Sequence, residues 1–176
     1  MGTTRKGAAG VIAAVMLACA PANVAAEQVI GEVVATIDGE PREWRTLGPD
    51  GTGIQYNTSL QAFGPMQTVS VMGFPPGRAG MRGTIQLTFA LMSGGLDTFE
   101  QELIYAPEGM SRMWVSLEGE DLITIEEFEN RAEGAVVSGR FSGRVCLQES
   151  LFAQPDQANC KPVEGRFSTS LPALAG

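Results

Sequence analysis

Six carboxylates crowd one short stretch of the chain: Glu118, Glu120, Asp121, Glu126, Glu127 and Glu129. Carboxylates on adjoining loops can supply the six to eight oxygens that Ca²⁺ takes. Two of them can also divide acid and base work on a glycosidic bond. The spacing fits no EF-hand loop, and Glu118-Gly119-Glu120-Asp121 has the composition of a turn between strands. The expectation is therefore a solvated turn followed by a charged outer strand face. Glu118, Glu120 and Asp121 are kept as candidate Ca²⁺ ligands, and Glu118 and Glu120 as a candidate catalytic pair. No other cofactor is expected.

Histidine is absent from all 176 residues. Ser-His-Asp triads, Cys-His pairs and histidine metal sites are thereby excluded. Cys146 and Cys160 stand alone in the C-terminal part, with thirteen residues between them rather than the two of the C-x-x-C spacing of thiol-redox sites. In an oxidising compartment such a pair forms a disulfide. The third cysteine, Cys19, belongs to the N-terminal segment. The favoured binding surface is the Gly/Pro-rich stretch Gly73 to Gly83, "GFPPGRAGMRG", with the cysteine-bracketed loop Leu147 to Asn159 second. The Gly/Pro-rich stretch carries Arg78, Met81 and Arg82, and arginines on a loop can clasp a partner's carboxylates. "GPDGTG", Gly48 to Gly53, reads as a plain turn.

The N-terminus has three parts: Arg5 and Lys6, an apolar run from Gly7 to Ala20, then small residues ending at Val24-Ala25-Ala26. That is the pattern of a secretory signal peptide. It predicts residues 1–26 as a leader and 27–176 as one domain, periplasmic or secreted. An alternative cut before Cys19 would give a lipid-anchored protein, but Met16 and Leu17 are poor lipobox residues. Loss of the leader removes two basic residues and no acidic ones, so the net charge moves from −8 to −10. An acidic surface repels nucleic acid and anionic headgroups. The domain contains no apolar run long enough to serve as a transmembrane helix.

The elements that must position these residues have a period of two. "TIQLTFAL" places Ile85, Leu87, Phe89 and Leu91 on one face. "GEVVATIDGEPREWRTL" reads as strand, Asp38-Gly39 turn, strand. "QTVSVMGF", "ELIYAP", "RMWVSLEGEDLITIEEFE" and "AEGAVVSGRFSGRVC" continue the pattern, with Asn130 to Gly134 as a turn and a short helical turn considered near Leu151 to Ala153. No long amphipathic helix is present. The expected class is all-β: one antiparallel sandwich or closed barrel of about eight to ten strands. Met72 and Met92 are expected in the core, and Trp44 and Trp114 in or at its edge.

The tetrapeptide Gly-Arg-Phe-Ser occurs twice, at Gly139 and Gly165, flanking the cysteine pair. Two rungs of one hairpin explain the echo, each giving a core Phe and an outward Arg. Setting Phe141 opposite Phe167 also sets Arg144 opposite Glu164 and Val145 opposite Val163. Setting Cys146 opposite Cys160 would instead place Arg140 against Arg166, which is repulsive. The first register is expected on charge grounds. The disulfide would then bridge diagonally and staple the loop Leu147 to Asn159.

The frame "ATIDGEPREW", "ITIEEFE…AEGAVVSGRFSG" and "VEGRFS" resembles uncharacterised bacterial secreted-protein and lipoprotein families of small β domains. The resemblance implies an envelope location and a β-sandwich or barrel, and brings no site residue with it. The expected function is a non-catalytic binding or accessory module of the bacterial envelope, its partner an envelope protein or a small ligand. The alternatives are a carboxylate-based enzyme acting on envelope glycans and a calcium-stabilised structural or adhesive subunit. Intact-mass analysis of the exported protein should give a chain starting at Glu27; an acylated Cys19 would establish the lipoprotein form instead.

Overall fold

Ten antiparallel strands account for most of the computed structural model, which describes Gly2 and residues 28–48, 58–77 and 80–172. The segment expected to be a leader, apart from Gly2, and most of the Gly48 to Gly53 turn lie outside the described residues. The strands are β1 (Val29–Ile37), β2 (Glu40–Leu47), β3 (Ser59–Phe63), β4 (Met66–Phe74), β5 (Thr84–Met92), β6 (Thr98–Ala106), β7 (Met113–Val115), β8 (Ile123–Arg131), β9 (Gly134–Gln148) and β10 (Asp156–Pro172). The all-β class and the alternating strands read from the sequence hold. Asp38 and Gly39 both take left-handed φ values, 54° and 79°. This is the two-residue turn whose twist matches a hairpin. β3 had no period-two signature of its own. The Leu151 to Ala153 segment is a turn closed by Ala153 N donating to Ser150 O at 3.0 Å.

The sheet closes on itself. Backbone pairing runs β1–β2–β4–β5–β6–β7–β9–β10 and returns from β10 to β1. Of the two architectures expected, the molecule is the closed barrel. Two corners are narrow. β2 meets β4 only through Arg45↔Phe74 and Thr46↔Gly73, and β6 meets β7 only through Ile104↔Val115 and Tyr105↔Trp114. β3 lies along the first half of β4, and β8 along the first half of β9, extending the wall beside each corner.

Inward positions fill the barrel. Val33, Val69, Val71, Ile85, Leu87, Phe89, Leu91, Leu103, Val137 and Val145 are all inaccessible to solvent and belong to one cluster. Side chains of this kind fill the interior of a small closed barrel. Outward positions carry exposed charge, including Glu32, Glu43, Arg140, Glu164 and Arg166. Membrane-spanning barrels have the opposite arrangement, with an apolar outer band. No helix among the described residues is long and apolar enough to cross a membrane. Met72 is in a small core cluster with Leu47 and Phe74 as expected, whereas Met92, at the end of β5, is 49% exposed. The strand alternation places Met92 on the outer face opposite Met66, beyond the core layer.

The register of the terminal hairpin corrects the charge-based expectation. Cys146 pairs directly with Cys160, Arg140 with Arg166, Phe141 with Gly165 and Phe167 with Gly139. The two Gly-Arg-Phe units thus exchange partners: each ring lies over the other unit's glycine. A Cβ on Gly165 would sit 2.5 Å from the Phe141 ring, and one on Gly139 would sit 3.1 Å from the Phe167 ring. Two inward phenylalanines directly opposite each other would lose this fit. The arginine repulsion is small by comparison. Both side chains are in water, and Glu126 lies 2.7 Å from Arg140. Exposed charge pairs are worth at most about 1 kcal/mol, and burial of a core Phe is worth about 3–5 kcal/mol on truncation.

Gly165→Ala should therefore destabilise the protein by about 1–3 kcal/mol, because Val34 O, 2.6 Å from the new methyl, is backbone and cannot swing away. Phe167→Ala should cost about 3–5 kcal/mol. Urea denaturation with the disulfide intact measures both, and an unchanged midpoint for Gly165→Ala would contradict the ring-over-glycine packing.

Candidate functional site

With the interior closed, any chemistry or recognition falls to the rim and the outer wall. The antiparallel order puts four connections at one end of the barrel: the Asp38-Gly39 turn, the β4–β5 loop, the β6–β7 loop and the β9–β10 loop. Both loops singled out from the sequence therefore open at the same end.

This end is capped by aromatic rings. Trp44 is buried and its Nε1 donates to Gly83 O at 2.7 Å, pinning the end of the β4–β5 loop. Trp44 meets Tyr105 edge to face at 6.1 Å between centroids. Arg42 lies over the Tyr105 ring at 5.5 Å, and Lys161 over Trp114 at 4.5 Å while also pairing with Asp38 at 3.3 Å. Cations over aromatic faces fit the ring quadrupole. They cover the barrel mouth with groups that are apolar below and charged above. Trp114 is half-buried against the core, so neither tryptophan is a free sugar-stacking platform.

The candidate arginine loop is only partly described. Arg78 lies outside the described residues. Met81 and Arg82 are exposed, and Met81 O accepts from Thr84 Oγ1 at 2.9 Å. Arg82 forms no ion pair with a described residue.

Five of the six carboxylates divide into two groups, and the sixth, Glu127, is exposed on β8. Glu126 and Glu129 pair with Arg140 and Arg131 on the wall. Glu118, Glu120 and Asp121 form the turn that leads from β7 to β8. Leu122, the residue after this turn, is buried against Gly143, where a Cβ would lie within clashing distance of Leu122 Cδ2. Glu120 pairs with Arg144 at 3.0 Å. Among the described residues no three carboxylate or cysteine side chains converge on a point where a metal could sit.

Two features of this region stand out: the first escaped the sequence reading, and the second lies in the loop that the sequence ranks second as a binding surface. The first is the β6–β8 seam. A bulge in β6 puts Glu100 in the left-handed region, φ 51°, between the pairs Thr88↔Glu102 and Ala90↔Phe99. It turns Gln101 toward β8, where Oε1 accepts from Leu122 N at 2.7 Å and also from Ile123 N. Thr98 Oγ1 donates to Ile123 O at 2.9 Å. Side chains thus bridge two strands that have no ladder. The second is the loop tip. Leu151 is 56% and Phe152 96% exposed. The tip is held by the Cys146–Cys160 disulfide, by Ala153 N to Ser150 O, and by Gln148 Nε2 donating to Leu151 O at 3.2 Å. Two large apolar residues side by side in a cysteine-bracketed loop were the legible signal.

The Glu118–Asp121 turn separates two adjoining grooves. One, of about 760 Å³, runs along β6 past Phe99, Glu100 and Glu102. The other, of about 910 Å³, runs between the turn and the stapled loop, past Arg144, Leu151 and Phe152. Glu102, Ser116 and Leu117 line both.

The chain matches no protein-family model, no curated protein and no solved structure.

Tyr105 gives this end of the barrel a pH signature. Burial raises its phenol above the ordinary 10.0, Arg42 opposes that rise and Glu40 adds to it. Below pH 10 both folded and unfolded states hold the proton. Above it, the unfolded chain releases the proton first, so stability falls as pH rises through the folded value. Denaturation midpoints should drop above pH 10, and Tyr105→Phe should flatten that drop; an unchanged slope in the variant would place the effect elsewhere.

Proposed function

We propose that this protein is a non-catalytic binding module of the bacterial envelope, exported to the periplasm or beyond, and that the stapled β9–β10 loop makes the principal contact. The supporting observation is Phe152. A filled barrel has no internal site to offer, and the molecule holds an aromatic side chain almost wholly in water at the tip of a disulfide-braced loop. Aromatic anchors displayed on a rigid support are the side chains that dominate binding energy at interfaces. The leader pattern and the disulfide support an oxidising location outside the cytoplasm. The β4–β5 loop with Arg82 opens at the same end of the barrel.

Replacing Phe152 with a photo-crosslinking phenylalanine analogue tests this reading in cells. A discrete adduct is expected from position 152 and none from Glu43, an exposed residue on the wall. The reading fails if position 152 yields no adduct or if both positions give the same pattern.

A further inference from the structure

The two adjoining grooves carry exposed carboxylates that the molecule leaves without an internal partner. Glu100, Glu102, Glu118 and Asp121 line them, and none forms an ion pair with a described residue. The nearby cations are already engaged. Arg144 holds Glu120 at 3.0 Å, and Arg112 holds Glu149 at 3.2 Å and Glu108 at 3.7 Å. The walls between the carboxylates are mixed, with Thr88, Thr98, Ser116 and Gln148 beside a few apolar faces. Phe99 is 37% exposed on one side of the turn, and Leu151 and Phe152 project on the other. The alternation of unpaired carboxylate with aromatic face is complementary to one chemistry: guanidinium or ammonium groups on an apolar stem. Such side chains ion-pair with the acids and lie on the rings.

We infer that the grooves on either side of the Glu118–Asp121 turn dock a basic segment of a partner protein, whose Arg or Lys side chains meet Glu100, Glu102, Glu118 and Asp121 while its apolar residues pack on Phe152 and Leu151. This rests on the binding-module reading and adds the partner's charge. The two grooves share Glu102 and the Ser116–Leu117 segment, so an extended chain can cross from one to the other over the turn. The bulge at Glu100 and the seam made by Gln101 hold one wall, and the disulfide holds the other. The surface is thereby fixed before the partner arrives, which lowers the ordering cost of association. Electrostatic recognition of this kind speeds encounter and weakens with salt.

The test uses the full chain and the peptide fluoresceinyl-Arg-Leu-Arg-Leu-Arg-amide, labelled at its N-terminus, followed by anisotropy. Saturable binding is expected, weakening at least tenfold between 50 and 300 mM salt. The double variant Glu102→Gln/Glu118→Gln and the single variant Phe152→Ser should each weaken it at least tenfold. Glu32→Gln/Glu43→Gln removes the same charge from the wall and should change it less than twofold. No saturable binding, or equal loss in the wall variant, overturns the inference. Loss with Phe152→Ser but not with the groove variant overturns the cationic partner while leaving the binding module standing. Self-association of the wild-type chain through these grooves, or binding of its loop tip to phosphatidylcholine vesicles that the peptide cannot displace, would name a different occupant and also overturn it. Retained crosslinking at position 152 with failed peptide binding separates this failure from that of the proposed function.

Discussion

The exchange of phenylalanine and glycine between β9 and β10 sets the geometry on which the barrel depends. Each strand presents Gly-Arg-Phe, and the antiparallel register swaps ring and gap about the Arg140–Arg166 pair. That register fixes where Cys146 meets Cys160 at one end and where Gly134 meets Pro172 at the other. β10 then reaches β1, through Gly31↔Thr169 to Ile37↔Val163, and the wall is complete. A slip of one residue would turn every side chain of β10 to the wrong face. The core therefore tolerates two arginines abreast on the outside in order to keep two rings seated on the inside.

Much of this was legible as alternation. Ile85, Leu87, Phe89 and Leu91 announce a strand face by their spacing, and all four are inaccessible to solvent in the barrel. Asp38-Gly39 announces its turn by residue type. The hairpin register was harder. Charge pairing between Arg144 and Glu164 pointed one way, while glycine clearance pointed the other, and only the second involves the core. β3 escaped because "SLQAF" has just one buried residue, Leu60, and owes its strand form to β4. Closure itself cannot be read from local pattern, since the β10–β1 ladder joins residues at opposite ends of the domain.

The candidate surface shows a similar division. The carboxylate turn and the cysteine-bracketed loop are both visible in the sequence as separate features. Their apposition is not, because it depends on Leu122 settling against Gly143 and on the disulfide folding the loop back along the same wall. Gln101 is the extreme case. Nothing in its neighbours marks it, yet its carbonyl oxygen substitutes for the missing ladder between β6 and β8. Without that bridge the wall behind Glu100 and Glu102 would have an open seam.

The pairing of the first strand with the last also bears on the order of events during biosynthesis. Contacts between residues some 130 positions apart are costly to form early, and folds rich in them are slow. β1 has β2 as an immediate neighbour, but its other edge stays bare until β10 has been made. Until β10 emerges the chain is an unclosed set of hairpins, without a continuous wall. A topology that leaves closure of the wall to β10 keeps the nine preceding strands an open assembly until that strand has been made.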